Sequence, residues 1–296
     1  MAKVAWLGLG VMGYPMAGYL AARGGHDVTV YNRTSAKADA WVSHYKAGRA
    51  AETPAEAARD ADFVFACVGN DDDLRAVTQG PAGAFETMKP GCIFVDHTTA
   101  SADVARALAT AASDQNCTFL DCPVSGGQSG AEGGTLTVMC GGDEAAYQNA
   151  EPLMSCYSRS VRRIGPSGAG QLTKMVNQIA VAGVIQGLAE AIHFAERSNL
   201  DLDAVMATIS KGAAQSWQME NRWKTMHERQ FDFGFAVDWI LKDLRIVLQE
   251  AKRNGASLPV TTLLETYYEE IQKDGGNRWD SSSLITRLSD NNGGSA

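Results

Sequence analysis

Six residues near the amino terminus, Gly8-Leu9-Gly10-Val11-Met12-Gly13, constrain this chain more than any other stretch. In a chain with 30 glycines a G-x-G-x-x-G alone says little. Here it follows the apolar run Val4-Ala5-Trp6-Leu7, opens the helical pattern 14–22, and precedes a second strand-like run that ends at Tyr31. Strand, glycine turn, helix and second strand at these spacings predict a right-handed βαβ unit that binds a dinucleotide. Gly8 permits the tight turn, Gly10 lets the backbone approach a pyrophosphate, and Gly13 lets helix and strand pack closely. The helix start offers unpaired N–H groups and the positive end of its dipole to an anion. A glycine turn that holds nothing is the competing interpretation, and the βαβ context argues against it.

The end of the second strand bears on which dinucleotide. An Asp or Glu there would hydrogen-bond the ribose 2′-hydroxyl of NAD. This chain has Asn32-Arg33-Thr34. Asn32 carries no charge to repel a phosphate, Arg33 offers a planar fork that matches one, and Thr34 adds a hydroxyl, with Lys37 close in sequence. The residues therefore point to NADP(H). A solvated surface arginine is the alternative for Arg33.

Strand-like runs recur at 4–8, 27–31, 63–68, 92–96, 119–121, 136–140 and 162–164. Helical patterns separate them at 13–22, 36–45, 54–59, 72–78, 102–112 and 144–156. This alternation predicts a mainly parallel sheet. After Gly165 only helical patterns follow, at 171–198, 202–211, 218–230, 238–254 and 259–273. The expected fold class is α/β: a Rossmann-type dinucleotide-binding domain, residues 1–165, followed by an all-α domain, residues 166–296, for substrate and self-association. Residues 289–296 read as a flexible polar tail. A helix over 168–197 would be about 45 Å long, long enough to serve as a spine or an oligomer contact. The 296 residues suit two such domains.

Composition excludes several classes. Net charge is -8 and no basic block occurs, which argues against nucleic acid and anionic membrane as partners. The six cysteines form no CxxC pair and no zinc spacing, so they read as free thiols of a cytoplasmic protein, with no metal site. The stretch 175–194 is apolar but contains Asn177, Gln178, Gln186, Glu190 and His193, so no membrane-spanning helix is expected.

Two segments can carry chemistry. Ser125-Gly126-Gly127 follows a short strand and could expose backbone N–H groups to a carboxylate, or be a plain turn. Lys174 and Asn177 lie three apart near the start of the long helix and share a face. Leu172, Met175, Val176 and Ile179 make that neighbourhood apolar. A poorly solvated lysine has a lowered pKa and can act as general acid or base, although a helical lysine on its own is commonly a surface charge. Lys242-Asp243 reads either as a charge directed at the cofactor or as an exposed pair. Trp217, Phe231, Phe233, Phe235 and Trp239 read first as core and second as a pocket wall. His97, at a strand end, could line a cleft; no role is assigned to it.

In their order, Gly8–Gly13 with Tyr14-Pro15-Met16, Asp121–Gly127, Gly168–Asn177 and Lys242-Asp243-Leu244 resemble the β-hydroxyacid dehydrogenase family, from Lys3 to about Leu288. That family includes 3-hydroxyisobutyrate dehydrogenase, tartronate semialdehyde reductase and the glyoxylate and succinic semialdehyde reductases. The resemblance implies a Rossmann-type domain and an all-α domain with the active site between them. It implies a catalytic lysine at Lys174, a substrate-carboxylate loop at Ser125, Gly126 and Gly127, and a companion asparagine at Asn177. It further implies cofactor contacts at Gly8, Leu9, Gly10, Val11, Met12, Gly13, Asn32, Arg33, Thr34, Val68, Thr99 and Lys242. Val68-Gly69 stands where the family usually has Leu-Pro. The implied activity is NADP(H)-dependent interconversion of a small β-hydroxy acid and its aldehyde or keto acid, without a metal, in a homodimer or homotetramer. Alternatives are an imine or iminium reductase, for which Lys174 is not the usual residue, and a non-catalytic NADP-binding module. The decarboxylating phosphogluconate branch is disfavoured by the short carboxyl-terminal domain.

Overall fold

Within residues 1–289, which the computed structural model describes, strand and helix alternate down to Gly165 and helices follow. The chain divides into two units, Met1–Lys174 and Met175–Ala296. The strand pattern puts the boundary at 165/166. The contacts put it at 174/175 because the start of the long helix is hydrogen-bonded into the first unit.

The first unit contains β1 (Lys3–Leu7), α1 (Gly13–Ala22), β2 (Asp27–Tyr31), α2 (Ser35–Tyr45), β3 (Arg49–Ala50), α3 (Pro54–Ala58), β4 (Phe63–Ala66), α4 (Asp71–Thr78), β5 (Ile93–Asp96), α5 (Ala102–Ser113), β6 (Thr118–Asp121), β7 (Val124–Ser125), α6 (Gly127–Gly133), β8 (Leu136–Gly141), α7 (Glu144–Met154) and β9 (Ser158–Gly165). The sheet order is β3-β2-β1-β4-β5-β6-β8-β7, with β9 paired to β8. Strands β3 through β6 are all parallel, as the alternation predicts. β8 runs antiparallel to β6 and β7 and parallel to β9.

Alternating side chains of the central strands feed two cores. Val4, Trp6, Val28, Val30 and Phe65 pack with Leu20, Trp41 and Tyr157 on one face. Ala5, Leu7, Val64 and Phe94 pack with Leu74, Leu108 and Phe119 on the other. Both faces of the sheet are therefore covered, which is why these strands read as continuous apolar runs. Each fully buried Leu or Phe contributes about 1.5–3 kcal/mol by leaving water.

The sequence pattern misses β3, β7 and α6. Two-residue strands have no periodicity to detect. In α6 three of seven residues are glycine, each about 1 kcal/mol poorer than alanine in a helix. The run 162–164 proves to be the eight-residue strand β9, and 63–68 stops at Ala66, leaving Cys67 and Val68 in the following turn.

The helix α8 (Ala169–Arg197) begins in the first unit and continues into the second, which adds α9 (Leu202–Ile209), α10 (Trp217–His227), α11 (Val237–Asn254) and α12 (Pro259–Ile271). A π turn (Gln272–Gly276), a 3-10 turn (Ser281–Ile285) and α13 (Thr286–Ser289) complete it. Ala182 and Ile185 pack with Ile240, Leu244, Leu264 and Tyr268. Leu188 and Ile192 pack with Leu202, Met206, Met219 and Met226. The predicted helix 259–273 ends where it does because Gly275 turns the chain with φ 88°. Of the expected tail, Ser289 closes α13 and residues 290–296 lie outside the described residues. By length and composition alone α8 could cross a membrane, contrary to the expectation from its polar residues. Its Gln171, Lys174, Gln178 and Gln186 are buried and hydrogen-bonded within the protein.

Candidate active site

The order of the parallel strands reverses between β1 and β4, and in such sheets ligands bind at the carboxyl ends beside that switch point. The turns after β1, β2, β4, β5 and β6 hold most of the expected site residues.

After β1, the three glycines differ in what a side chain would meet. A Cβ on Gly8, whose φ is 98°, would lie 2.3 Å from the Cys67 carbonyl oxygen. A Cβ on Gly13 would lie 2.1 Å from the Gly8 carbonyl oxygen and 2.9 Å from Trp6 Nε1. A Cβ on Gly10 would meet nothing within 4 Å. Gly8 and Gly13 thus serve the protein's own packing, while Gly10 faces open space. The start of α1 has no side-chain cap and no acidic residue in its first turn. Unshielded N–H groups beside an open glycine fit a pyrophosphate. Leu9 is buried, and Val11 is exposed at the tip of the turn.

Asn32 ties this turn to the end of β2. Its Oδ1 accepts from Leu9 N at 2.9 Å and its Nδ2 donates to the Thr34 carbonyl at 3.0 Å. Arg33 extends toward α4, with Nη1 3.0 Å from Asp73 Oδ1 and a side chain 85% exposed. Because β2 and β4 flank β1, the pair spans the end of β1. Thr34 precedes α2 at its N-cap without a capping bond.

After β4, Val68 N donates to Thr98 Oγ1 at 3.1 Å. Thr98 N in turn donates to Asp96 Oδ1 at 2.9 Å, and Thr99 is half-buried beside it. Asp96 is fully buried, and burial pushes its carboxyl up to about 8 against the opposing bonds from Thr98. His97 does not line a cleft. It is 2% exposed, stacks on Trp6 and Phe65, and bonds the Cys122 carbonyl at 2.6 Å and Tyr157 Oη at 2.8 Å. Burial brings its pKa down to about 4, so it is neutral near pH 7. It follows β5 directly and packs into the core on Trp6, Phe65 and Tyr157.

After β6, the chain grips the start of α8. Asp121 Oδ1 accepts from Gly168 N at 2.8 Å and Oδ2 from Gln171 N at 2.9 Å. Burial raises the Asp121 carboxyl to about 6, with these backbone donors holding it down. Lys174 is 8% exposed, and its Nζ donates to the Val124 carbonyl at 2.9 Å. It is therefore a buried lysine, not a surface charge. Ser125 ends β7, paired with Thr137, and Gly126 and Gly127 turn into α6 with φ 133° and 61°. The segment expected as a carboxylate nest or a plain turn is a strand end running into a short helix, and Lys174 is held at Val124, the residue just before Ser125. Gln171, Asp121 and Thr98 lie in segments singled out in the sequence, but their individual roles were not legible there, because the partners that define them lie 30 to 73 residues away.

In the second unit, Asn177 Nδ2 donates to Gln178 Oε1 at 2.8 Å, Gln178 Nε2 donates to Asp243 Oδ2 at 2.7 Å, and Lys242 Nζ lies 3.1 Å from Asp243 Oδ1. Two residues expected separately, Asn177 and Lys242, thus belong to one polar chain. The Lys242–Asp243 pair is not exposed: the side chains are 22% and 3% accessible, because α11 turns Asp243 toward α8. Of the aromatics, Phe231 is core, while Trp217 and Trp239 are 48% and 39% exposed, contrary to the core expectation. Arg222 stacks on Trp217 and Phe233, and Lys242 lies over Trp239, which lets these rings stay near water. Among the described residues no group of three or more His, Cys, Asp or Glu could hold a metal.

Residues 3–165 match the profile of the NAD binding domain of 6-phosphogluconate dehydrogenase. Residues 168–288 match the profile described as NAD-binding of NADP-dependent 3-hydroxyisobutyrate dehydrogenase. The chain is 61% identical over 288 residues to an uncharacterized oxidoreductase of Shewanella frigidimarina, spanning 97% of this chain and 98% of that one. It is 32% identical over 286 residues to 2-hydroxy-3-oxopropionate reductase of Escherichia coli, spanning 97% of each. Among solved structures, Mycobacterium tuberculosis 3-hydroxyisobutyrate dehydrogenase with L-serine aligns with a TM-score of 0.87 at 27% identity, over 97% of this chain and 99% of that one.

Proposed function

This chain belongs to the β-hydroxyacid dehydrogenase family, and we propose that it is an NADP(H)-dependent reductase interconverting a small β-hydroxy acid and its aldehyde or keto acid, with Lys174 as general acid and base. Membership makes it an oxidoreductase with a nicotinamide dinucleotide cofactor. In this reading residues 1–165 bind the dinucleotide, and residues 166–296 serve substrate choice and self-association as a homodimer or homotetramer. The free thiols fit a cytoplasmic enzyme.

The observation that carries the reading is the burial of Lys174 with its Nζ on the Val124 carbonyl, directly before Ser125. General acid–base transfer requires a positioned donor within reach of the reacting oxygen, and the Lys174 amine beside the Ser-Gly-Gly segment suits a substrate whose carboxylate is held there. Ser125, Gly126 and Gly127 hold the substrate carboxylate, and Asn177, three residues beyond Lys174 on the same helix, adds a second hold. The glycine turn, Asn32, Thr34, Val68, Thr99 and Lys242 would hold the nicotinamide dinucleotide, which would supply the hydride when bound. As negative charge builds on the substrate oxygen, the Lys174 ammonium donates a proton to it. In the oxidative direction the neutral amine removes the hydroxyl proton. Such acid–base help is worth on the order of 10²–10⁴ in rate, and the remainder comes from orientation. Arg33 supplies the charge for a 2′-phosphate.

An NADPH-oxidation screen over glyoxylate, succinic semialdehyde, methylmalonate semialdehyde and tartronate semialdehyde, with NADH in parallel, tests the proposal. Turnover of at least one of them with NADPH preferred is expected. Turnover only after an amine is added would replace the reading with an imine reductase, and no oxidation at all would leave a binding module.

A further inference from the structure

The long helix α8 is not capped by the residue before it. Its first N–H groups lack intrahelical partners, as at any helix start. One of them, Gln171 N, is taken by a carboxylate oxygen of Asp121, 50 residues earlier in the chain, and the other oxygen takes the N–H of Gly168, the residue just before the helix. The slot for this carboxylate exists because two positions lack a side chain. A Cβ on Gly141 would lie 2.6 Å from Asp121 Oδ1, and one on Gly170 would lie 2.9 Å from Oδ2 and 2.2 Å from the Asp121 carbonyl oxygen. Gln171 then makes a second attachment. Its Nε2 donates to the Thr98 carbonyl at 2.7 Å, and its Oε1 accepts from Ala100 N at 3.1 Å. Asp121 and Gln171 are both fully buried.

These bonds fix the rotation of α8 about its own axis. Lys174 follows Gln171 by three residues, on the same face one turn later. Its Nζ meets the Val124 carbonyl, three residues after Asp121. The end of β6 and the start of β7 therefore hold the helix start and the lysine head, and the turn after β5 holds the residue between. A slip of one residue, 100° of rotation, would carry Nζ away from Val124. We infer that Asp121 and Gln171 are positioning residues that aim the Lys174 amine for proton transfer. This rests on the reading of Lys174 given above.

The test replaces each residue by a near-isostere, Asp121→Asn and Gln171→Met, in the full-length protein with Lys174 intact and again with Lys174→Ala. The substrate is the aldehyde acid that the wild type reduces fastest in the screen. With Lys174 intact, each replacement lowers kcat on the order of 10–100-fold, while for Asp121→Asn, whose bonds go to the start of α8, KM for NADPH stays within about twofold. In the Lys174→Ala background the same replacements change the residual rate by less than about twofold, because there is no amine left to aim. Labelling of Lys174 by trinitrobenzenesulfonate, which needs no substrate, becomes faster in both single variants. An equal loss of rate with and without Lys174, or unchanged kcat and labelling, would overturn the inference. If Lys174→Ala itself keeps full turnover, the reading of Lys174 fails instead. Should Asp121→Asn not fold, Gln171→Met carries the comparison alone.

Discussion

Gln178 Nε2 donates to Asp243 Oδ2 at 2.7 Å with both side chains 3% exposed, joining α8 to α11 inside the second unit. Asn177 extends this link on one side and Lys242 on the other. A buried carboxylate shared by an amide and an ammonium is costly to remove. Asp243→Ala is expected to lower unfolding free energy by about 3–5 kcal/mol, read as a shift in denaturation midpoint at unchanged slope. A variant as stable as the wild type would show the polar chain to be dispensable.

Arg33 and Asp73 yield a prediction about the cofactor. Arg33→Ala should raise KM for NADPH far more than for NADH, because only the former carries a 2′-phosphate. Asp73 holds the same guanidinium at 3.0 Å and competes for it. Asp73→Asn should therefore lower KM for NADPH by about twofold to fivefold, the scale of an exposed ion pair, with little change for NADH. Equal effects of Arg33→Ala on both cofactors would remove the 2′-phosphate assignment.

Ser125 closes β7 where Gly126 and Gly127 swing the chain into α6. If this segment anchors the substrate carboxylate, Ser125→Ala raises KM for the carboxylic substrate with a smaller change in kcat. Steady-state kinetics over several aldehyde acids provide the check, and an unchanged KM across all of them would discredit the anchor.

Asp96 makes stability depend on pH with a definite sign. Its folded carboxyl sits at about 8 instead of 3.8, so between those values the folded chain keeps a proton that the unfolded chain has released, and stability falls as pH rises. Asp121, raised to about 6, acts the same way at lower pH. His97, lowered to about 4 from 6.5, acts oppositely: stability falls as pH drops below 6.5. Of these three groups only Asp96 titrates in the folded protein between pH 6.5 and 8. A loss on the order of 2 kcal/mol across that window is expected, and Asp96→Asn should flatten it. Thermal melts of both proteins from pH 6.5 to 8 measure the slopes, and parallel slopes would contradict the assignment.

The dinucleotide half was legible in the sequence because its signals are local. Gly8–Gly13 lie in one turn, and the apolar runs of β1, β2 and β4 bury both faces, so each strand shows without knowledge of its neighbours. Lys174 and Ser125 were nameable as residues, but their link through Val124 spans 50 positions and follows from topology. Asp121 and Gln171 fall inside the motif segments 121–127 and 168–177, but their pairing was not legible, because an aspartate at a strand end and a glutamine in a helix are ordinary until the fold apposes them. A strand end suggests a cleft wall for His97, whereas Tyr157 and the Cys122 carbonyl hold it in the core. Trp217 and Trp239 were drawn inward by their size, yet cationic neighbours let them remain exposed.

The central claim is that the buried Lys174 amine exchanges a proton with the substrate oxygen. The most direct measurement compares Lys174→Ala with wild type in NADPH oxidation at saturating aldehyde acid, with NADPH affinity followed by fluorescence. A loss of kcat on the order of 10²–10⁴ with NADPH binding retained is the predicted result. Near-normal turnover in the variant would mean that another group carries the proton, and the account would not stand.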